Sequence, residues 1–230
     1  MAGVSISQSD RSCDSLYRSN GNYQQRDFKT DSYALYGETT IPLSESWKVT
    51  GGMRYTHDHK DYDGHYTAAG QTVPDSRRVG ENYLTGRVAL SYELNPETNL
   101  YVLTARGHKS RGFNDYSTQP ADSQPYLAAR VDTHEAGIKY QSADHKLSFT
   151  GAVYLNEITD DHLLGYDFNT MAVSTVNANT RSQGVELEGR SQPGHGLRFD
   201  AGATYLDAKN LSPASGVSGA SVAQRSRSSV

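Results

Sequence analysis

The sequence predicts an all-β protein: an antiparallel, up-and-down sheet forming a segment of a transmembrane β-barrel. Three observations predict it: apolar and polar residues alternate with a period of two, short turns alternate with long connections, and the strands are long. The alternation is clearest in residues 80–112. Two alternating segments lie there on either side of the turn sequence NPET at 95–98. In the first segment Leu84 and Val88 share one parity, while Arg87 has the other.

The second strand of this hairpin alternates in the same way. Thr104, Arg106 and His108 share one parity, opposite Tyr101 and Leu103. Arginine is costly to bury without a partner, so we expect Arg87 and Arg106 to lie on a wetted face. An apolar face backed by a wet, charged face suits either a sandwich sheet or a membrane barrel.

The rest of the chain supplies further alternating segments. The predicted strands are residues 32–43, 47–62, 130–141, 146–158, 172–190 and 197–209. We expect residues 1–30 to be a polar leading loop, because they show no clear period. Residues 31–210 are then the barrel unit, and residues 211–230 are a tail rich in Ser, Ala and Gly.

The lengths of the connections separate the two fold classes. Those near residues 45, 96, 143 and 194 are short, and those near 70, 120 and 165 are long. In an up-and-down sheet all short turns then lie at one end and all long loops at the other, as in transmembrane barrels. The strands also exceed the usual length in soluble sheets and can cross a bilayer. The sequence therefore favours a membrane barrel.

Composition excludes several classes of function. The 230 residues carry 22 basic and 26 acidic side chains, so no basic excess points to nucleic acid. Cys13 is the single cysteine, which leaves no intrachain disulfide. The opening MAGVSISQSDRSC lacks the apolar region of a signal peptide, and no apolar run is as long as a membrane helix. No phosphate loop or nucleophile elbow is present, so we expect neither an enzyme nor a cofactor.

Four segments, in order, resemble strands of the TonB-dependent outer-membrane receptor family. They are GGMRYTHDHK, TNLYVLTARGHKSRGFN, THEAGIKY and VNANTRSQGVELEGR. The resemblance covers roughly residues 31–210. Arg111 stands where the family commonly has Gly, and Ala129-Arg130 where it usually has Pro-Glu, so the bordering outer loop is expected to differ.

The resemblance implies a barrel of about 22 strands with an N-terminal plug. Such receptors import ferric siderophores, or haem, cobalamin or sugars in other members, driven by an inner-membrane energy-coupling protein. This chain would supply about eight strands and no plug domain, and is expected to be a fragment. The expected partners are a ferric siderophore or similar chelate, outer-membrane lipid and, only through the absent plug, the energy-coupling complex. The expected location is the cell outer membrane, although the chain shows no signal peptide.

Aromatic residues in or beside the long loops are the first candidates for ligand capture. They are Tyr62, Tyr66, Tyr116 and Tyr126. Aromatic side chains there suit a flat or catecholate ligand. Packing of the loops against the wall would explain the same residues.

Charged residues give two more candidate sites. Arg54, Arg87 and Arg106 are expected to face the polar interior, where they could attract an anionic chelate. A structural ladder with Glu38, Glu93 or Glu135 is the alternative. His57 and His59 share a strand face and could bridge a metal. We favour the alternative of a solvated strand end, because no partner that would fix the geometry of a metal site is visible.

Three other interpretations stay open. The chain could close as a small outer-membrane barrel with a structural or adhesive role, or fold as a soluble β-sandwich binding module. It could also be a gene remnant without activity. An open wall would expose two unpaired edges and an apolar surface, and is expected to aggregate in water.

Overall fold

The computed structural model describes residues 1–17, 22–68, 70–114, 125–167, 172–194 and 196–211. These residues form one antiparallel sheet of nine strands, whose order in space follows their order in the chain. The strands are β1 (Ala2–Tyr17), β2 (Asn22–Pro42), β3 (Trp47–Ala68), β4 (Gln71–Asn95), β5 (Thr98–Lys109), β6 (Ala129–Gln141), β7 (Leu147–Asp167), β8 (Ala172–Gly194) and β9 (Leu197–Asn210). The described residues contain no helix long and apolar enough to cross a membrane.

The predicted antiparallel, up-and-down architecture is confirmed, and the sandwich interpretation is wrong because the described strands form one sheet rather than two. Residues that pair across neighbouring strands share a face. One apolar row crosses eight strands: Ile41, Val49, Leu90, Val102, Ala136, Val153, Val185 and Tyr205. Val102 and Val153 are each 52% exposed, so the described residues leave this face uncovered. We call it the belt face, and its opposite the polar face.

The upper edge of the apolar belt shifts across the sheet. In β1 the unbroken run of apolar residues on the belt face ends at Ile6, which is aligned through successive pairs with Asn82 in β4. In β9 the corresponding run ends at Tyr205, which is aligned with Leu90 in β4. The edge therefore moves about one residue per strand relative to the pairing. A level apolar band has this stagger when the strands of a barrel are tilted.

The four expected short turns are present at one end of the sheet, after β2, β4, β6 and β8. Two of the expected long loops are wrong. Residues 62–68 and 71–79 are instead the ends of β3 and β4, and residues 159–167 continue β7 opposite the start of β8 at Ala172. Both faces of these extensions are largely polar, so the sequence loses its period of two while the backbone pairing continues.

The expected leading loop over residues 1–30 is also wrong. β1 pairs with β2 from Ala2↔Gly37 to Tyr17↔Asn22, and this pairing adds a ninth strand to the expected eight or so. The side chains of β1 beyond Ile6 are mostly polar on both faces, which hides the strand from pattern analysis. Of the expected tail, residues 212–230 lie outside the described residues.

Tyrosine rings on the polar face lie across glycines of neighbouring strands. A Cβ atom added to Gly137 would lie 2.6 Å from the Tyr101 ring, and one added to Gly184 would lie 2.6 Å from the Tyr154 hydroxyl. The absent side chain makes room for the ring, which covers bare backbone and locks the register of the two strands.

Candidate functional site

The connection between β5 and β6 lies over the polar face, at the end of the sheet away from the short turns. We call its described parts, residues 110–114 and 125–128, the strap. Its two halves meet where the Tyr126 N–H donates to the Gly112 carbonyl over 3.0 Å. The two halves of the strap are therefore bonded to each other, and each half also contacts the wall.

The first anchor of the strap is polar and lies on β3 and β4. The Lys60 ammonium donates to Ser110 Oγ and to the Arg111 carbonyl, both over 2.7 Å. The Arg111 N–H donates to Glu81 Oε1 over 2.8 Å. The His108 ring stacks on Tyr83 with 3.8 Å between centroids. These contacts fix the chain as it leaves β5.

An aromatic cluster lies beside this anchor. Tyr62 packs between Phe28 and Phe113, with ring centroids 5.2 Å and 5.3 Å apart. Val79 completes the cluster, in which Tyr62 is 5% exposed. Tyr62 therefore packs the strap onto the wall, as the loop-packing alternative expected, and does not present its ring to a ligand.

The second anchor is Asn177 in β8. Its Oδ1 accepts from the Leu127 N–H over 2.9 Å, and its Nδ2 donates to the Leu127 carbonyl over 3.2 Å. Nδ2 also donates to the Asp160 carbonyl over 2.6 Å. Asp160 has a φ of 56° and lies where the β7–β8 register shifts, and its N–H donates to Asn179 Oδ1 over 3.0 Å. One buried amide thus joins the strap to a β-bulge.

His162 supports the same half of the strap from β7. Its Nε2 lies 2.7 Å from the Leu127 carbonyl, so this nitrogen carries the proton and donates. The ring packs against Tyr126 at 4.5 Å between centroids. Burial lowers the pKa of His162, which lies well beyond the apolar belt; the Leu127 hydrogen bond opposes the shift.

This lowered pKa predicts that docking of the strap weakens in acid. Because the docked form has the lower pKa, release takes up protons once the pH falls below the usual value for histidine. We expect the fluorine NMR signal of 3-fluorotyrosine at Tyr126 to move toward its solvent-exposed position as the pH falls below 6. In His162→Gln, which can still donate but does not titrate in this range, the signal should not move. A parallel pH response in this variant would contradict the prediction.

A pocket of about 300 Å³ lies between the strap and the first three strands, and we call it the strap pocket. Its lining includes Arg11, Phe28, Lys60, Phe113 and Tyr126. The Arg11 guanidinium lies 4.5 Å from the centroid of the Phe28 ring. Lys29 and Asp61 also line it, so three cationic residues, one carboxylate and three aromatic rings meet in one recess. Of the five residues named first, sequence analysis had proposed only Tyr126.

The arginine candidates separate onto the two faces. Arg54 and Arg87 lie on the polar face, where Arg87 forms a two-pronged ion pair with Glu38 at 2.8 and 2.9 Å. Arg54 lies over the Tyr36 ring at 5.7 Å. Placing Arg106 with them was wrong: it pairs with Gly86 and Asp132 on the belt-face side, 2.7 Å from the Asp132 carboxylate. An irregular register at the β4–β5 turn sets the face of every residue after it.

The remaining candidates do not converge on a site. His57 and His59 share the belt-face side, as expected, but His57 contacts Asn82 at 2.8 Å and His59 contacts Asp61 at 3.5 Å. Within the described ranges no group of three or more potential ligands is placed to hold a metal ion. Tyr66 lies on the polar face near the tip of β3, and Tyr116 lies outside the described residues.

These features define a class of protein: a membrane-barrel wall, whose tilted antiparallel strands carry an apolar belt on one face and a docked connection, the strap, on the other. The family model described as "TonB dependent receptor-like, beta-barrel" matches residues 2–229, and the chain belongs to this family. Its wall matches the β-barrel of these receptors as a partial barrel. Members of the family are transport receptors rather than enzymes, and the relatives are outer-membrane proteins.

Individual relatives agree with this assignment. The pesticin receptor of Yersinia pestis is 24% identical over 170 residues, which are 74% of this chain and 25% of that receptor. The catecholate siderophore receptor Fiu of Escherichia coli K12 is 22% identical, covering 58% of this chain and 20% of that protein. The crystal structure of the ferric yersiniabactin uptake receptor FyuA from Yersinia pestis superposes with a TM-score of 0.74 and 21% identity, over 84% of this chain and 29% of that one. The chain thus spans about a quarter of the length of the first of these relatives.

Proposed function

We propose that the chain forms part of the wall of an outer-membrane receptor that takes up a ferric siderophore or a similar anionic chelate. The strap pocket is the observation that carries this proposal. Arg11 and Lys60 supply positive charge beside three aromatic rings. A catecholate chelate of iron combines negative charge with flat rings, and cations and aromatic side chains complement both properties. The belt face would then contact membrane lipid.

The direction of the edge strands supports a partial wall rather than a self-closed barrel. β1 and β9 run in the same direction, because seven antiparallel strands separate them. Closing the sheet on itself would therefore require one parallel pair. An odd number of further strands completes a fully antiparallel barrel, and we propose that other parts of the receptor supply them together with the plug that engages the energy-coupling complex.

Direct binding of an anionic catecholate tests the proposal. The probe is the ferric complex of 2,3-dihydroxybenzoate labelled with radioactive iron, in equilibrium dialysis against the full chain refolded in detergent micelles. We expect Arg11→Gln to raise the dissociation constant about tenfold, the usual effect of losing a charge-assisted hydrogen bond. Tyr126→Leu is expected to weaken binding in the same direction.

Two variants on surfaces remote from the pocket serve as controls. Arg198→Gln removes an exposed guanidinium near the short turns, and Tyr205→Leu removes an exposed ring on the belt face. Both are expected to leave the dissociation constant unchanged. Equal loss of binding in the pocket and control variants, or no binding by the unmodified chain, would contradict the proposed role of the strap pocket.

A further inference from the structure

An apolar groove of about 600 Å³ lies on the belt face across β4 to β7. Its lining includes Val88, Leu90, Val102, Ala136 and Val153. Ala136 pairs with Val102 on one side and with Val153 on the other, so a methyl group lies between two branched side chains. The slot follows from the difference in size between these side chains.

A cluster of charges lies on the same face beyond one end of the groove. Arg106 Nε lies 2.7 Å from one oxygen of Asp132, and Arg130 Nε lies 3.0 Å from the other. Two guanidinium groups therefore share one carboxylate, which leaves one excess positive charge. The adjacent pair, Glu157 with Arg181 at 2.6 Å, is neutral. Arg106 and Arg130 are more than half exposed, so they can donate to an anion at the surface.

The spacing of the cluster and the groove matches an amphipathic ligand. Arg106 follows Val102 by four residues in β5, which is about 13 Å along the strand. A phosphate held near Arg106 would place the chain attached to it over Ala136. A free phosphate ion would fill the charged end alone and leave the apolar slot empty.

We propose that this groove binds one acyl chain of a phosphate-bearing membrane lipid, with the phosphate held by Arg106 and Arg130. The site selects an anionic lipid because Asp132 neutralises only one of the two arginines. This inference rests on one part of the proposed function, namely that the belt face contacts membrane lipid. It adds a defined lipid site to a surface that would otherwise contact lipid without preference.

Fluorescence quenching by brominated lipids can test the site, because the chain has a single tryptophan, Trp47. Val153→Trp in a Trp47→Phe background places the fluorophore in the groove. Val185→Trp is the matched control, since Val185 pairs with Val153 on the next strand and does not line the groove. The full chain is reconstituted into phosphatidylcholine vesicles containing a small fraction of brominated phosphatidylglycerol.

We expect quenching of the tryptophan at 153 to show a local phosphatidylglycerol fraction about fivefold above the bulk fraction. This is the enrichment expected from one excess positive charge near the surface. The tryptophan at 185 should sense the bulk fraction. Arg106→Gln with Arg130→Gln, or Ala136→Phe, should abolish the enrichment at 153, and Asp132→Asn should retain or increase it. Brominated phosphatidylcholine at the same fraction should quench both positions equally.

The outcomes distinguish this inference from the proposed function. If the chain sediments with the vesicles but both positions report the bulk fraction, the lipid site is overturned and the wall assignment is unaffected. Enrichment that survives Ala136→Phe would overturn the groove as the place where the acyl chain binds. A chain that stays out of the vesicles overturns both proposals, because the groove would then face water.

Discussion

Replacing Gly137 with valine is expected to lower the free energy of unfolding by about 3 kcal/mol. Any side chain at this position meets the Tyr101 ring, because a Cβ atom would lie 2.6 Å from two of its atoms. The ring cannot move aside freely, since the Tyr101 hydroxyl donates to Glu135 Oε1 over 2.6 Å and Lys139 lies over the ring. We expect a clearly lower urea midpoint for the chain refolded in micelles.

Gly189 provides the matched control for this substitution. It lies within β8, and a Cβ atom added there would have no neighbour within 4 Å. Gly189→Val is therefore expected to be neutral or slightly stabilising, because valine favours strands and restricts the unfolded chain more than glycine does. Equal destabilisation by both substitutions would show that loss of glycine itself, rather than the collision with Tyr101, is the cause.

A double-mutant cycle isolates the contact between the ring and the glycine. Tyr101→Ala alone should destabilise the wall by uncovering the backbone at Gly137. Tyr101→Ala combined with Gly137→Val should cost less than the sum of the two single changes, because valine can occupy the space that the ring leaves. Additive effects would contradict the interlocking arrangement.

The sequence predicts the strands well where the two faces differ in polarity. Leu84 and Val88 alternate with Thr85 and Arg87, and both apolar residues lie on the belt face as the pattern requires. Prediction fails where both faces are polar, as in β1 and in the hairpin extensions around Gln71 and Asp167, because backbone pairing leaves no periodic signal there. It also fails for Arg106, because its face depends on the register of one turn rather than on its neighbours.

The candidate site was less accessible to sequence analysis than the fold. The strap pocket joins Arg11 in β1, Lys60 in β3 and Phe113 in the strap, and no local pattern links residues so far apart in the chain. Two signals were present in the sequence: Phe113 within RGFN and Asn177 within VNAN lie in segments that resemble the family. These segments indicated membership of the family, but the resemblance did not reveal that they contact one another.

Replacing Asn177 with alanine is expected to release the β6 half of the strap. The change removes one acceptor and two donor contacts at a position only 8% exposed. It leaves the Leu127 N–H and the Asp160 carbonyl to find other partners, while the Leu127 carbonyl keeps its bond from His162 Nε2. An unsatisfied buried backbone group is costly. The docked strap should therefore open more often, while the belt and the short turns remain intact.

Limited trypsin digestion at fixed pH measures this opening, because Arg111 lies in the strap and is held by Glu81 and Lys60 when docked. We expect cleavage after Arg111 to be about tenfold faster in Asn177→Ala, since cleavage of a transiently opened segment follows its equilibrium population. Asn179→Ala is the matched control, because Asn179 Oδ1 accepts from the Asp160 N–H and so supports the bulge. If both variants accelerate cleavage equally, the bulge controls the strap; if neither does, the polar anchor on β3 and β4 is sufficient to hold it.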